Sequence, residues 1–514
     1  MKRINLIFIL NLLLSFQVRA EIIEFYDYTG THLAYELNSE TKEAKVGIYK
    51  GFSDGNPHST APCIHWQDKN DYTDYFRNLI IPNTIEYEGI YYTITSIAPY
   101  AFCEDTRVET IKLPETISTI GANAFYFCVN LTSINLPNAV TAINKQTFEQ
   151  CTKLKINSLG KNITKIDSRA FFDCHSITEL NIPGKCEVIE NDAFSWCKGL
   201  KKLIIEDSNT ILSLGYSYSL SLHYQGQDKA SYRGAFADCP IEELYMGRNI
   251  SFPVSTNKSY PPFTGISNYC TNTTGYQGPT GKTLKKLQFG ESVTNLPNQL
   301  FYKSSLQCDI ILPPYIETIG DECFNLSFFN NQVEITFPKT LKSVGNKWYD
   351  TSDHDKIKFI NCEGEIPASG NFSGYVVYVP SGAGDIYKNS DSWKNSCIID
   401  PSDKLISINV KTAGTLYSRI LAQDVQISDV TRLKLKGTLN NDDWNVIKTM
   451  NNIHELDLLE ISNDLFPTDY FKNWSFITKI ILPKNLSSIG DYMFYGCSHL
   501  NCIIEIHQNC KKIG

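Results

Sequence analysis

The sequence predicts a solenoid, a fold in which short repeats stack and each unit packs only against its neighbours. The main observation is a phenylalanine that recurs every 23 residues between residues 94 and 205. We call these residues the anchors: Phe102, Phe125, Phe148, Phe171 and Phe194. The positions eight and five residues before each anchor are apolar as well. Because so short a unit cannot bury its apolar face alone, the copies must stack.

The second observation is a segment that starts six residues after each anchor, as in Leu131-Thr-Ser-Ile-Asn-Leu-Pro137. Its apolar residues alternate as in a short strand, and a proline, which lacks an N–H, suits the end of a strand. We therefore expect one parallel strand per unit and a return through short helical turns. The period falls in the range of leucine-rich repeats, whose strands line one face of the stack.

The N-terminus indicates export. Lys2 and Arg3 precede a mostly apolar run from Ile4 to Phe16, and Val18-Arg-Ala20 ends residues 1–20 like a cleavage site. This pattern is typical of a secretory signal peptide, whereas a membrane anchor or a buried helix is the alternative. Its removal deletes three basic and no acidic residues, so the formal net charge of -8 becomes -11. We expect a secreted or cell-surface protein with no transmembrane segment after signal removal and no nucleic acid partner.

Six of the sixteen cysteines follow the repeat, three residues after a phenylalanine: Cys128, Cys151, Cys174, Cys197, Cys239 and Cys497. A cysteine locked to the period is expected to be a small buried free thiol. Disulfides between adjacent units are the alternative, since neighbouring strands lie close enough to be bridged. The sequence does not determine which of the cysteines outside the register form disulfides, and any of them could: Cys63, Cys270, Cys308, Cys362 and Cys397.

The domain organisation follows from where the period holds and where it is interrupted. Beyond the signal peptide we predict an N-terminal cap, a solenoid with two insertions, and a second array that is incomplete at its C-terminus. Their bounds are 21–93 for the cap, 94–400 for the solenoid, near 207–232 and 250–281 for the insertions, and 401–514 for the second array. The cap is expected because the first unit of an open stack exposes an apolar end.

The unit seen whole from Ile117 to Pro137 resembles the BspA-like leucine-rich repeats of exported proteins in host-associated bacteria. The resemblance covers about 94–345 and 478–514. It implies a surface or secreted protein that binds matrix proteins, host cells or other bacteria and has no enzymatic activity. The repeat motif does not fix the binding residues of this family, so the resemblance assigns none.

Motifs of catalysis and cofactor binding are missing from the sequence: it has no Gly-rich phosphate loop, no G-x-S-x-G elbow and no H-E-x-x-H. The stretch 497–510 holds residue types that bind zinc, but Cys497 and Cys510 occupy slots that point inward. Asp350 to Asp355 offers oxygen ligands yet lacks the glycine and glutamate of an EF-hand loop, so a solvated turn is favoured. We predict no metal and no cofactor.

The candidate binding residues are tyrosines of the two insertions, which lie among Ser, Thr, Asn and Gly. They are Tyr216, Tyr218, Tyr224, Tyr232, Tyr260, Tyr269 and Tyr276. Tyrosine gives rigid contact area while serine and asparagine adapt, as in binding loops, although long loops with locally packed tyrosines would look the same. We therefore predict an exported adhesion protein that engages a host matrix or cell-surface protein, or a glycan. The alternatives are a secreted glycan-active enzyme, a carbohydrate-binding module with its site in these insertions, and a structural surface-layer component.

Overall fold

The computed structural model describes most of the chain, and the predicted signal peptide, residues 1–20, lies outside the described residues. The described ranges are 21–26, 32–47, 77–224, 227–237, 239–253, 263, 284–301, 305–306, 308, 310–324, 328–329, 333–349, 357–467, 469–500, 504 and 509–513. The chain forms two compact units: unit 1 comprises residues 1–307 and 326–328, and unit 2 comprises residues 308–325 and 329–514. The predicted boundary at residue 401 stays a prediction. In the described part of the chain, no helix has both the length and the apolar character to cross a membrane.

The N-terminal strands of unit 1 form a mixed sheet. In chain order the strands are β1 (Glu21–Tyr26), β2 (His32–Asn38), β3 (Glu43–Val46), β4 (Asn78–Ile80), β5 (Thr84–Tyr87) and β6 (Ile90–Ile97), of which all but β4 belong to this sheet. β1, β2 and β3 pair in antiparallel order, and β3 then pairs in parallel with β6. Two parallel pairs lead into the repeats, from β4 to β7 (Thr110–Lys112) and from β6 to β8 (Thr119–Ile120). The N-terminal strands therefore pair directly with the strands of the first repeats.

Most regular units contribute two short strands instead of the one expected. The first strand precedes the anchor: β8, β10 (Ala142–Ile143), β11 (Lys165–Ile166), β13 (Val188–Ile189), β15 (Leu212–Leu214), β19 (Ile250–Ser251) and β21 (Asn295–Leu296). The second follows it: β7, β9 (Ser133–Ile134), β12 (Glu179–Ile182), β14 (Lys202–Ile205), β18 (Glu243–Met246) and β20 (Lys286–Phe289). Stacking brings equivalent backbone segments side by side, so a two-residue stretch suffices for parallel pairing with the next unit.

The third unit carries Asn157 where its neighbours have an aliphatic residue, and this substitution has a visible effect. Its first strand, β10, pairs with the next unit, with Ala142 opposite Lys165, but β10 is the edge strand of its sheet and β8 lies in the N-terminal sheet. The second sheet is interrupted, because β9 and β12 belong to separate sheets and only an isolated bridge joins Ser158 to Asn181. Asn157 itself is exposed. The repeat register survives the polar residue, whereas one of its two sheets does not.

The anchors form a continuous stack of rings in the core of unit 1. Ring centroids of successive anchors from Phe102 to Phe194 lie 5.1 to 5.4 Å apart, with interplanar angles of 17° or less. Phe236 extends the stack at 5.3 Å, and Phe263 bridges it to Phe301 at 6.0 and 5.8 Å. The rings from Phe102 to Phe301 are buried. These observations confirm the leucine-rich-repeat fold.

The turn around each anchor repeats as regularly as the strands do. Residues two before and two after the anchor adopt left-handed backbone conformations, as Asn123 (φ 58°) and Phe127 (φ 58°) do around Phe125. The N–H groups of these three residues donate to carbonyls of the next unit at 2.8 to 3.0 Å. The turns therefore form a third ladder of backbone hydrogen bonds between units.

Five of the six repeat cysteines are buried thiols outside any disulfide, as predicted, whereas Cys497 is half-buried, and each of the six has a hydrogen-bond partner. Cys128 Sγ donates to the carbonyl oxygen of Phe102 at 3.0 Å, and the same bond to the preceding anchor recurs along the array. The other thiols in this position belong to Cys151, Cys174, Cys197 and Cys239. Of the cysteines outside the register, Cys362 and Cys397 are buried free thiols, whereas Cys63 and Cys270 lie outside the described residues.

From residue 305 onward the strands are short and the helices few. The strands are β22 (Ser305–Leu306), β23 (Thr318–Ile319), β24 (Phe328–Phe329), β25 (Val333–Phe337), β26 (Ser343–Val344), β27 (Ile357–Cys362), β28 (Val376–Tyr378), β29 (Cys397–Ile399), β30 (Leu405–Val410), β31 (Arg432–Gly437), β32 (Glu455–Ile461), β33 (Lys479–Ile481), β34 (Ser488–Ile489) and β35 (Lys512–Ile513). The helices are α1 (Gly384–Lys388), the six-residue α2 (Leu416–Leu421) and α3 (Asn441–Lys448), with a 3-10 helix at Ile427–Asp429.

Unit 2 has two four-stranded parallel sheets, β25-β27-β28-β29 and β30-β31-β32-β33. The sequence also predicts strands at 405–410 and 433–435 and a short helix at 442–450, and the structure has β30, β31 and α3 at these places. Phe494, which precedes the repeat cysteine Cys497 by three residues as an anchor does, stacks on Phe471 at 5.7 Å and 6°, so unit 2 has an anchor pair of its own.

Candidate functional site

The first insertion is a folded β-hairpin. β16 (Tyr216–Tyr224) pairs in antiparallel order with β17 (Gln227–Gly234), in a chain whose repeat strands are otherwise parallel. In a regular unit two residues connect Gly121 to Ala124, and here the hairpin stands between the corresponding Gly215 and Ala235. The hairpin overlaps the insertion predicted near 207–232, whose bounds stay a prediction, and β15 inside those bounds still belongs to the repeat.

The hairpin carries four of the seven predicted binding residues. Tyr216, Tyr218 and Tyr224 lie on β16 and Tyr232 lies on β17, with Tyr218 directly opposite Tyr232 in the register. The structure thus brings two of the candidates together through their backbone. The other candidates, Tyr260, Tyr269 and Tyr276, lie outside the described residues, so their role stays a prediction.

The base of the hairpin is attached to the anchor turn of the preceding unit. The N–H of Phe194 donates to the carbonyl of Ala235 at 2.8 Å, and that of Trp196 donates to Ala237 at 2.9 Å. Ser195 Oγ donates to the carbonyl of Gly234 at 3.1 Å. These bonds continue the turn ladder of the regular units, so the hairpin leaves the array at a fixed position.

Beside this base lies a row of side chains that we call the aromatic strip: Arg169, Phe172, Trp196 and Lys198. The guanidinium carbon of Arg169 lies 3.9 Å from the ring centroid of Phe172, and the rings of Phe172 and Trp196 stack at 6.1 Å. The ammonium of Lys198 lies 5.1 Å from the Trp196 ring. Phe172 is buried, Trp196 is half-buried and Lys198 is exposed. Contacts of this kind between cations and aromatic faces are attractive.

The two cations of the strip differ in their surroundings. Arg169 Nε donates to Glu149 at 2.9 Å and its second nitrogen contacts the other carboxylate oxygen, so this charge is neutralised. Burial would lower the pKa of Arg169, but the bond to Glu149 outweighs it and the pKa is raised. Within the described ranges, no carboxylate pairs with Lys198. Lys198 is therefore the cation of the strip that remains available to a partner.

Comparison with known proteins identifies the repeats. A family model described as the BspA type leucine rich repeat region matches in six copies, over residues 74–212, 280–369 and 426–514, which is more than half of the chain. The chain belongs to the BspA-type leucine-rich-repeat family. Leucine-rich-repeat proteins of this kind are generally non-enzymatic and repeat-based binding proteins, and no catalytic family model matches this chain.

Solved structures that resemble this BspA-type protein come from several bacteria. A leucine-rich repeat protein from Bacteroides ovatus is 18% identical, with 95% of this chain and 94% of that chain covered and a TM-score of 0.38. A leucine rich cell surface protein from Faecalibacterium prausnitzii is 14% identical, with 96% and 94% covered and a TM-score of 0.30. The pneumococcal vaccine antigen PcpA is 18% identical, with 74% and 98% covered and a TM-score of 0.26. No curated protein sequence matches.

Sequence reasoning missed the aromatic strip of this BspA-type array. Phe172 and Trp196 stand one and two residues after an anchor, at positions that the apolar repeat pattern leaves variable. The equivalent positions elsewhere hold residues as different as Glu149 and Gln150. The sequence does hold one indication of this strip: a large aromatic residue, next to an insertion, at a repeat position that is polar in other units. It becomes visible only when equivalent positions are compared unit by unit.

The outer face of the sheet β12-β14-β18-β20 is a second polar surface, but its charges compensate each other. Lys202 Nζ lies 2.6 Å from Glu179, and Glu242 accepts hydrogen bonds from both Lys285 and Lys201. The bonds from the two lysines lower the pKa of Glu242. This ladder pairs its own charges across strands, as opposite charges in facing positions do, so it offers a partner little unbalanced charge.

The described residues hold no cluster of three or more His, Cys, Asp or Glu side chains arranged to bind a metal. In the stretch 497–510, Cys497 donates to the carbonyl of Phe471 at 3.0 Å, and His499 Nδ1 lies 2.6 Å from the carbonyl of Ser475. These contacts join neighbouring repeat units, and residues 501–503 and 505–508 of this stretch lie outside the described residues. Asp350 to Asp355 lies outside the described residues.

Proposed function

We propose that this protein is exported and binds a macromolecular partner, a protein or a glycan, through the flank made by the β16-β17 hairpin and the aromatic strip. The observation that carries the proposal is the hairpin itself, which replaces a two-residue connection at one position of a regular array. A solenoid gains nothing in stacking from such an extension, since its turn ladder is complete without it. Elaborated loops on a rigid scaffold are where binding residues concentrate.

The chemistry of this flank suits a polar macromolecular surface. Trp196 and Lys198 combine a large half-buried ring with an unneutralised charge, and Trp is one of the residues that dominate binding energy at interfaces. The tyrosines of β16 and β17 belong to the residue class that makes paratopes effective, because a rigid amphipathic ring gives contact area at little entropic cost. A host matrix protein, a cell-surface protein and a glycan all present such polar surfaces.

Export and display at the cell surface belong to the same proposal. They are supported by the basic start, apolar run and small-residue ending of residues 1–20. The test is antibody labelling of the protein on intact cells of its source organism. Labelling is measured before and after proteolysis of the cell surface. Recovery of all the protein in the cytoplasmic fraction would contradict export.

The test of the flank is a variant in which residues 216–234 are replaced by Ala-Asn, the dipeptide that joins Gly121 to Ala124 in a regular unit. Binding of the wild-type protein and of this variant is measured on an array of purified matrix proteins and glycans. We expect the variant to keep its thermal midpoint within a few degrees and to lose its binding. Undiminished binding by the variant would contradict the proposal.

Point variants separate the aromatic strip from the hairpin. Trp196→Ala and Lys198→Gln are each expected to weaken binding by about tenfold, the effect typical of a hot-spot residue. Lys155→Gln serves as the matched control, because Lys155 is an exposed lysine of the same compact unit outside this flank. Equal losses in all three variants would indicate a general charge effect and contradict a local site.

A further inference from the structure

Unit 2 carries an exposed aromatic corner at its last described anchor turn. Tyr492 and Tyr495 are 68% and 62% exposed, which is unusual for side chains of this size in an array that buries its anchors. Their ring centroids lie 6.0 Å apart at an interplanar angle of 84°. The ammonium of Lys472, on the neighbouring turn, lies 5.9 and 5.8 Å from the two centroids. We call these three side chains the tyrosine platform.

The backbone under the tyrosine platform is held in place on both sides. Tyr492 adopts a left-handed backbone conformation with φ 58°. The N–H of Tyr495 donates a hydrogen bond to the carbonyl of Tyr492 at 3.0 Å. The N–H of Asn473 donates to the carbonyl of Tyr495 at 2.7 Å, which ties the two turns together. Beneath them Phe471 stacks on Phe494 at 5.7 Å. A rigid support of this kind removes much of the entropic cost that ligand binding would otherwise have.

The charge of Lys472 is not neutralised. Among the residues that the structure describes, no carboxylate oxygen lies within 4.0 Å of its ammonium, although the surrounding chain is acidic overall. Two tyrosine rings hold the ammonium by cation–π attraction, which is weak at exposed sites. The platform therefore presents two aromatic rings, each with a phenol hydroxyl, and one positive charge, with the ring centroids and the ammonium no more than 6.0 Å apart.

We propose that the tyrosine platform is a binding site for a carboxylate-bearing sugar, such as a uronic acid residue of an acidic glycan. The C–H face of a pyranose ring stacks on a phenol ring, and its hydroxyl groups exchange hydrogen bonds with the phenol hydroxyls. The sugar carboxylate then pairs with Lys472 in a charge-assisted hydrogen bond. An acidic peptide would satisfy the charge but would leave the two ring faces uncovered, so the sugar accounts for more of the observed surface.

This inference does not rest on the proposed function of the hairpin flank, because the platform lies in the other compact unit. Each site has its own variants, and the loss of one leaves the other measurable. In particular, the variant that lacks residues 216–234 is expected to keep its affinity for the acidic sugar.

The experiment uses the full chain and a pair of matched ligands. A β-1,4-linked tetramer of glucuronic acid and cellotetraose share one backbone and differ in the carboxylate group, and tetraglutamate supplies the same charges on a peptide. Affinities are measured by isothermal titration calorimetry. We expect the glucuronic acid tetramer to bind at least about tenfold more tightly than cellotetraose and tetraglutamate, as one charge-assisted bond or one stacked ring would give.

Three variants test the assignment, namely Tyr492→Ala, Tyr495→Ala and Lys472→Gln. Each replaces an exposed side chain and is expected to weaken binding of the tetramer by about tenfold while the fold is retained. Tyr417→Ala is the matched control, since Tyr417 is an exposed tyrosine of the same unit, on α2, and is 54% exposed. An unchanged affinity in the three variants, an equal loss in the control, equal binding of cellotetraose or tetraglutamate, or no binding of the tetramer would overturn the proposal.

Discussion

At the scale of single residues, the repeat cysteine has two functions in the core. Its sulfur fills a small apolar space, and its S–H donates to the carbonyl of the preceding anchor, as Cys151 does to Phe125 at 3.1 Å. A buried carbonyl without a partner would cost free energy. Burial raises the pKa of the Cys151 thiol, so it stays protonated and keeps its donor. The sequence predicted the buried thiol from its period, but a period reports apolar character and cannot reveal a hydrogen bond.

The anchors give the first prediction. Phe148 is fully buried and stacks on Phe125 at 5.4 Å and on Phe171 at 5.2 Å. We expect Phe148→Ala to lower the free energy of unfolding by about 3 to 5 kcal/mol, because it leaves a cavity in the middle of the ring stack. Neighbouring units should lose stability with it. Urea denaturation followed by circular dichroism measures the change.

The control for this prediction is Phe127→Ala. Phe127 follows the anchor Phe125 by two residues but is 39% exposed, so its truncation opens no cavity in the ring stack. We expect a change within about 1 kcal/mol. Similar midpoints for Phe148→Ala and the wild type would show that the ring stack does not stabilise the array.

At the scale of elements, the sequence predicted the repeat unit but not its second strand. The strand before each anchor is two residues long in most units, as at Lys165–Ile166, and so short a stretch has no alternation to detect. Its existence depends on stacking, which is a property of several units together. The hairpin is a different case, since Tyr216-Ser-Tyr-Ser-Leu-Ser alternates with the period of a strand and could have been recognised.

Helix α3 supplies a prediction about the second array. The side chain of Asn440 accepts hydrogen bonds from the N–H groups of Asp442 and Asp443, and Asp443 accepts one in return from the N–H of Asn440. Losing this capping box in Asn440→Ala is expected to cost about 1 kcal/mol, the usual effect of removing an N-cap. Thermal unfolding followed by calorimetry provides the measurement.

Asn441→Ala is the matched control for the cap. Asn441 is the next residue and the first of the helix, is exposed, and lies outside the capping box. Alanine has the higher helix propensity, so the control should be neutral or slightly stabilising. A loss in the control as large as that in Asn440→Ala would attribute the effect to the position and not to the cap.

At the scale of the whole molecule, each compact unit has its own stack of anchor rings. Unit 1 runs from Phe102 to Phe301, and in unit 2 Phe471 stacks on Phe494. The sequence predicted the stack from Phe102 to Phe194 because the spacing there is constant. Phe471 was missed because it lies within Tyr470-Phe-Lys-Asn-Trp474, where the companion residues depart from the motif. The proposed binding surfaces could be predicted least, because their residues occupy repeat positions at which the motif does not fix the residue type.

Unit 2 also predicts a pH dependence of stability. His454 is buried, and burial lowers its pKa to about 4, while Asp403 and Glu455 raise it and Arg432 lowers it further. A histidine with a depressed pKa in the folded state takes up its proton more readily when the chain is unfolded. The contribution of neutral His454 to the free energy of unfolding is therefore fully present above the pKa of the unfolded state, near 6.5. It is lost as the pH falls toward 4, and the total loss is roughly 3 kcal/mol.

The contribution of His454 is isolated by comparing the wild type with His454→Gln. Carboxylates titrate in both proteins, so the difference between their curves of unfolding free energy against pH belongs to this side chain. We expect the wild type to lose more stability than the variant between pH 6.5 and pH 4. Parallel curves over that range would contradict the buried neutral histidine.

The turn ladder described for the regular units has a consequence for the history of the gene. The N–H groups of Asn123, Phe125 and Phe127 meet the next turn in the same way that their counterparts do one unit later, so both sides of a unit make identical connections. A stretch of 23 codons can therefore be duplicated or lost by recombination. In the resulting protein the turns on either side pair through the same backbone hydrogen bonds as before. Length is then a quantity that selection can adjust in fixed steps, independently of the surfaces that individual units display.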